Sequence, residues 1–284
     1  MCLPRVPCGS PGRTWAHNST EVNVKVLDLF AGLEGWSQPW RERGHDVYRV
    51  ELLGKFPAEW RDIMDFEPSC LPWQPDIVLA SPPCTAFTVM QIGRNWNKDD
   101  TPKTQKAVEG LILLERTLAV IAAINPKYFI IENPRGKMRK MKQLAHLERR
   151  TVTYCQFGER RMKPTDLWGG FPPSLVLPPP CKNGAPCHDA APRGSMTATQ
   201  GMASDESAKI PYALSLLVLK ACAKDLGVPE KETVVVREHA EGQCAQVYNG
   251  TLTIYKKEPM SGENAMANAI AGYEPHGWLS WYKE

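Results

Sequence analysis

The sequence predicts an α/β protein built on a doubly wound, mostly parallel sheet, followed by a small Pro-rich insert and a C-terminal β appendage. Three observations carry this expectation. Short apolar, β-branched runs recur at VKVLDLF (24–30), DVYRVE (46–51), DIVLA (76–80) and KYFIIE (127–132). Runs of this kind suit strands covered on both faces, as parallel strands are. The first run ends in the glycine-containing turn AGLEG, which reads as a strand feeding a helix. Residues 103–124 are helical in period and long enough to cross over a sheet. The resulting β-α-β-α-β alternation implies parallel strands with covering helices.

The remaining elements follow in order. A short helix covers about 36–43 and stops at Gly44, and RTVTYCQF (150–157) reads as a further strand. From Lys163 the composition changes, with eight prolines between Pro164 and Pro192. Proline removes a donor and fixes φ, so this stretch is expected to hold neither regular helix nor inner strand. IPYALSLLVLKACAKDL (210–226) returns to helical period. Farther on, AQVY and TLTIY flank Asn249-Gly250, the strongest short hairpin signal, and a helix is expected near 262–271. The units expected are an arm without structure at 1–22, a main domain at 23–163, the Pro-rich insert at 164–208, a returning helix at 209–228 and the appendage at 229–284.

Composition excludes several classes. No run of about 18 apolar residues is present, so no membrane-spanning helix is expected. The first twenty residues lack the apolar stretch of a signal peptide. Nine cysteines without a secretory signal point to a reducing, cytoplasmic setting rather than to a disulfide framework. The net charge is +3, yet residues 135–163 hold ten Lys or Arg against Glu148 and Glu159. On charge alone two readings stand level: a solvated helix face over KMRKMKQLAHLERR, and a surface for a polyanion.

Ligands of open α/β sheets bind at the carboxyl ends of the strands. There the sequence places Phe30-Ala31-Gly32-Leu33-Glu34-Gly35, then Ser81-Pro82-Pro83-Cys84, then Glu132-Asn133-Pro134. Two prolines stiffen the turn before Cys84 and leave no donor to compete with it. A glutamate ending the neighbouring strand is hard to explain as packing, because lone carboxylates are seldom buried without a task.

These motifs resemble, in order over roughly residues 24–225, the cytosine-5 DNA methyltransferases, and more closely their short, phage-type members. The resemblance implies the class I S-adenosylmethionine-dependent methyltransferase fold. DLFAGLEGW is similar to the cofactor-binding motif, which places Asp28, Phe30, Ala31, Gly32, Gly35 and Trp36 at S-adenosylmethionine. The family has glycine where Glu34 stands; Gly35 is expected to take over the close backbone approach while Glu34 points to solvent. GHDVYRVE matches the acid for the cofactor ribose, Glu51, with Leu52 beside it. RDIMDF matches the segment in which Asp62, next to Ile63, bonds the adenine amino group. SPPCTAFT resembles the nucleophile loop, with Ser81 and Pro82 toward the cofactor and Cys84 as nucleophile. FIIENPRG resembles the glutamate motif through Glu132. YCQFGERRMKPTDLW resembles the basic motif, with Arg161 and Lys163 best aligned, and APRGSMTATQG is similar to a stretch of the short members.

The implied reaction explains these residue types. Carbon 5 of cytosine is a poor nucleophile until a thiolate adds to carbon 6 and turns the ring into an enamine. Cys84 must then be partly ionised, with cations such as Arg161 favouring the thiolate. Glu132, protonated, bonds the ring nitrogen and the exocyclic amine. The implied substrate is double-stranded DNA with its target base flipped out, acted on by a monomer or weak dimer. Candidate DNA contacts are Arg94 and Trp96 in the polar loop 88–104, Arg135, Arg139, Lys140 and Lys142 in the basic strip, and Arg193. A transfer-RNA type of substrate and a catalytically silent DNA-binding relative are the alternatives. Cys181, Cys187 and His188, with Cys155 as a fourth, form a C-x5-C-H cluster. Its spacing is not that of a standard zinc knuckle and adjacent Cys187-His188 is awkward for one ion, so packing and hydrogen bonding are the default and no metal is assigned.

Overall fold

The computed structural model describes residues 23–189 and 204–229, with the short segments 237–238, 243–248 and 251–256. The arm at 1–22, the helix near 262–271 and Arg193 lie outside the described residues.

Strand β1 (Lys25–Leu29) is followed by α1 (Gln38–Glu42), β2 (Asp46–Val50), β3 (Ile77–Ala80), α2 (Ile92–Asn95) and the long α3 (Gln105–Ile124). Then come β4 (Tyr128–Pro134), β5 (Glu148–Thr153), β6 (Pro164–Gly170), α4 (Ser204–Ala208) and α5 (Tyr212–Leu226). The sheet order is β2-β1-β3-β4-β6-β5. The first four of these strands pair in parallel, while β6 runs antiparallel to both β4 and β5. Winding reverses beside β1, which has β2 on one side and β3 on the other. That is the switch point where such sheets open a crevice.

The apolar runs are strands because successive residues feed two different cores. Val26, Ile77, Leu79 and Ile130 pack with Trp40 of α1 and with Leu214, Val218 and Leu219 of α5. Their neighbours Leu27, Leu29, Val78, Ala80 and Ile131 pack on the other face with Leu114, Val120 and Ile124 of α3. The covering helices are therefore on both faces, as a doubly wound sheet requires. Thr104 caps α3 by accepting from the Ala107 N–H at 3.3 Å, and Asn125 ends it in the left-handed region at φ 51°. Among the described residues no helix is long and apolar enough to cross a membrane.

Three expectations are corrected. The strand expected over 150–157 ends at Thr153, and Tyr154–Phe157 turn as a 3-10 helix. KMRKMKQLAHLERR is not an α-helix but two 3-10 turns, Lys137–Lys140 and Lys142–Leu144, running into β5. Its buried apolar residues Met138, Met141 and Leu144 recur every third position, the period of the tighter helix. The Pro-rich stretch does contain an inner strand, because β6 lies between β4 and β5. Pro164 is tolerated as its first residue. In the C-terminal segment β8 (Gln243–Tyr248) pairs antiparallel with β9 (Thr251–Lys256) in the register of a two-residue hairpin, and β7 (Arg237–Glu238) adds to β8.

Candidate active site

The carboxyl ends of β1, β2 and β3 open on a cavity of about 340 Å³. Phe30, Ala31, Gly32, Gly35 and Trp36 line it from the first turn, Glu51, Leu52, Asp62 and Ile63 from the segment after β2, and Ser81 from the end of β3. Glu51 is 8% exposed and its carboxylate bridges two loops. One oxygen accepts from the Gly32 N–H and the other from the Leu53 N–H, both at 2.9 Å. Each oxygen keeps a second acceptor position. Trp36 Nε1 donates to Ser81 Oγ at 3.0 Å, tying the first turn to the third strand. Asp62 accepts from the Met64 N–H at 2.9 Å, a local turn that fixes its carboxylate.

Two residues expected at the cofactor do not reach the cavity. Asp28 is wholly buried beneath the turn, and no hydrogen bond of normal geometry meets either of its oxygens. Burial pushes its carboxyl up to about 7, with Glu34 adding to the rise and Ser37 and Arg49 opposing it. Pro82 is buried as well; its carbonyl accepts from Asn133 Nδ2 at 2.8 Å, and Pro83 lines the cavity in its place.

Glu34 does not point to solvent as expected. Its side chain is 15% exposed and ion-paired with both Arg41 and Arg49. It stands at φ 56°, a left-handed conformation that favours glycine, and it is not on the cavity wall. Gly35 does make a close backbone approach, but toward the chain itself. A Cβ there would sit 2.5 Å from the Ile210 nitrogen. Phe56, Arg61, Leu113, Lys209 and Ile210 also line the cavity without having been singled out. Arg61 opens the RDIMDF motif, the others belong to no motif, and Lys209 and Ile210 arrive from the far end of the domain.

Next to this cavity, β3 and β4 deliver Cys84 and Glu132. Cys84 opens a 3-10 turn over Cys84–Ala86 and is partly buried. The turn is stitched to the loop after β4, since Lys137 N–H donates to the Phe87 carbonyl at 2.7 Å. Gly136 permits that contact, because a Cβ would fall 2.2 Å from the same oxygen. Glu132 is 4% exposed and accepts from the Tyr154 hydroxyl at 2.8 Å. Lys163 completes the group. It adopts φ 29°, donates to the Ser207 carbonyl at 2.9 Å and lies 4.2 Å from the Tyr154 ring centre.

These groups act on one another electrostatically. Burial pushes the Cys84 thiol up, the Glu132 charge adds to this, and Lys163 pulls it down. Burial also raises the Glu132 carboxyl, against Lys163 and hydrogen bonds from Tyr154 and Ser81. Lys163 is itself lowered by burial, with Glu132 and then Cys84 holding its charge. The cation facing the thiol is thus Lys163 rather than Arg161. Arg161 is 5% exposed and donates to Glu159 at 3.3 Å, and its Nε has no partner among the described residues. Tyr154 escaped the sequence reading because it was placed inside a strand.

The expected DNA contacts divide in two. Arg94, Arg135, Lys140 and Lys142 are exposed. Trp96 is not: it is 4% exposed, stacked on Phe87 at 5.5 Å, and its Nε1 donates to the Ala86 carbonyl at 2.8 Å. It anchors the segment after Cys84 and offers no face to a ligand. That segment holds a 3-10 turn and α2 rather than an open loop. Arg139 forks onto the wholly buried Asp166 with two bonds of 2.5 Å and reaches Thr151 at 3.1 Å. Its charge is committed to the sheet. Cys155, Cys181, Cys187 and His188 come together, with one ligand atom of each within 4.8 Å of the others.

A family model for the C-5 cytosine-specific DNA methylases matches residues 24–152. The probable DNA (cytosine-5)-methyltransferase of Frog virus 3 is 30% identical over 179 residues, covering 56% of this chain and 78% of that protein. The type II methyltransferase M.AplI of Arthrospira platensis is 29% identical over 144 residues, covering 45% of this chain and 38% of its own length. Among solved structures, S. pombe Dnmt2 methyltransferase aligns over 52% of this chain and 50% of its own at 18% identity, with a TM-score of 0.36. The Entamoeba histolytica methyltransferase EhMeth aligns over 55% and 57% at 11% identity, with a TM-score of 0.39. Through the family model and the Frog virus 3 relative, the chain belongs to the C-5 cytosine-specific DNA methylase family and is a methyltransferase.

Proposed function

We propose that the protein methylates carbon 5 of cytosine in double-stranded DNA, taking the target base flipped out of the helix and using Cys84 as a covalent nucleophile. The observation that carries this reading is the meeting of Cys84, Glu132 and Lys163 beside the cavity at the strand ends. DNA as substrate rests on the Frog virus 3 relative, a probable DNA (cytosine-5)-methyltransferase.

The cavity fits S-adenosylmethionine in its donor set. Glu51 offers acceptor positions for ribose hydroxyls and Asp62 one for an adenine amino group, between apolar walls from Phe30, Trp36 and Ile63. When bound, that cofactor supplies an electrophilic methyl group. The chain's own residues do the rest. Cys84 sulfur adds to carbon 6 while Glu132 gives a proton to the ring nitrogen, which neutralises the developing charge. Tyr154, bonded to Glu132 Oε1, fixes the orientation in which the carboxyl meets the base. After transfer, carbon 5 gives its proton to solvent water, the carbon–sulfur bond breaks with Cys84 leaving as thiolate, and the ring nitrogen returns its proton to Glu132.

Duplex DNA carrying 5-fluorocytosine tests the adduct, because fluorine at carbon 5 blocks that elimination. A complex resistant to denaturation is expected with the native chain and none with Cys84→Ser, whose cofactor affinity stays within about tenfold. Trapping by the Cys84→Ser protein would remove the nucleophile assignment. Trapping on RNA but not on DNA would move the substrate.

A further inference from the structure

Residues 176–189 present a physical problem. They contain no helix, no strand and no buried side chain, and Val176 is 78% exposed. Beyond Leu177, which packs on the edge of the core, no apolar contact of the core holds them, yet they lie against the segment that carries Tyr154. The Cys181 N–H donates to Thr153 Oγ1 at 2.8 Å, Gln156 Nε2 to the Pro179 carbonyl at 3.2 Å, and the Asp189 N–H to the Arg160 carbonyl at 2.8 Å. Exposed polar bonds of this kind contribute little net stability, and small segments without a core usually need a covalent or metal staple.

We infer that Cys155, Cys181, Cys187 and His188 form a structural zinc site that fastens this segment to the turn after β5. The geometry is that of the ion's own shell. Tetrahedral zinc at about 2.3 Å from sulfur and about 2.0–2.1 Å from nitrogen requires sulfur–sulfur edges near ~3.8 Å and sulfur–nitrogen edges near ~3.6 Å. The structure has Cys187 Sγ 3.7 Å from Cys155 Sγ. His188 Nδ1 is 3.6 Å from both Cys181 Sγ and Cys187 Sγ. Of these four edges the Cys181–Cys187 one, at 3.1 Å, is short of the ideal, and all four atoms lie within 4.8 Å of one another. Adjacency of Cys187 and His188 is no obstacle, since both present a ligand atom to the same centre. Between the cysteines, a turn closed by the Ala185 N–H on the Lys182 carbonyl at 3.2 Å, with Gly184 at φ 81°, folds the chain back far enough for both sulfurs to meet.

The chemistry selects the ion. Three thiolates and one imidazole are a soft, four-coordinate set with no position left for water, which is the pattern of structural rather than catalytic zinc. Each thiol releases its proton on ligation, so the bound site carries one net negative charge. Cys155 directly follows Tyr154, the residue bonded to Glu132. The ion would thereby hold the insert at a fixed distance from the catalytic carboxyl without touching it.

Metal analysis of the full chain, purified with thiol reductant and zinc present and without chelator, tests the inference. One zinc per chain is expected for the native protein and for Cys70→Ser, whose exposed thiol lies outside the cluster. Cys187→Ser and His188→Ala should each retain less than a fifth of that, an effect equivalent to the loss of one of four ligands. Cobalt substitution of the native chain keeps the test independent of variant folding. It should give a thiolate-to-cobalt charge-transfer band and the intense visible bands of tetrahedral coordination. Substoichiometric zinc in the native chain overturns the site, as does cobalt bound without thiolate bands. A Cys181–Cys187 disulfide persisting under reductant would overturn it too.

Discussion

Lys163 is the residue on which the reactivity of the thiol turns. Burial and the Glu132 carboxylate both hold Cys84 in its thiol form, and Lys163 is the first group opposing them. The sign is direct: a thiol whose pKa is raised has less thiolate at any pH below that value, and removing a cation raises it further. Lys163→Met should therefore slow alkylation of Cys84 by iodoacetamide, by roughly tenfold at neutral pH, because less of the sulfur is thiolate. It should also shift the rate profile to higher pH. Mass spectrometry at Cys84, with the exposed Cys70 as internal standard, reads this out; an unchanged profile would show that the Lys163 charge does not reach the sulfur. Cys84 and Glu132 were legible in the sequence because each is a reactive type set where a buried strand ends. Tyr154 was not, since a tyrosine after Thr-Val-Thr reads as one more strand residue until the chain is seen to turn. Glu34 was misread for a related reason. Its conformation is the one glycine takes, but Arg41 and Arg49 hold it there, and neither lies in the motif.

The basic strip shows how an element changes the meaning of its charges. Ten cations in a row of sequence become two populations once the strip folds into 3-10 turns and β5. Arg139 faces a carboxylate with no exposure at all, whereas Lys140 and Lys142 face water. Arg139→Ala leaves Asp166 buried and unpaired apart from its bond with Thr151. It should cost about 2–3 kcal/mol of stability, and thermal unfolding should fall by roughly 5–10 °C. Replacing Lys140 and Lys142 together by alanine should leave that temperature unchanged while flattening the salt dependence of DNA binding. Equal thermal effects in the two proteins would contradict the division. The parallel strands were readable because two-sided burial writes itself as an unbroken apolar run. Strand β6 was not, because PTDLWGG carries a proline, a buried aspartate and two glycines, each of which argues against a central strand. Pairing on both edges outweighs all of them.

The cavity residues bound how much of the chain the catalytic domain needs. The last of them is Ile210, and α5 behind it ends at Leu226, with Val228 still in the core. A chain ending at Val228 should remain folded and bind S-adenosylmethionine within about tenfold of the full chain by calorimetry. Insolubility of that product would make the β7–β9 segment part of the same cooperative unit. The order of strands and helices along the chain was legible because helical period and motif order are local properties. The far wall of the cavity was not, because it depends on which distant segment returns to the first turn. That return has a further meaning for biosynthesis. Gly35 leaves the ribosome early, but the backbone that must press against it, at Ile210, follows 175 residues later. At ~5–20 residues per second this is an interval on the order of ten seconds or more. All six strands of the main sheet are synthesised before Lys209 and Ile210, so the far wall of the cavity is the last part of it to be made.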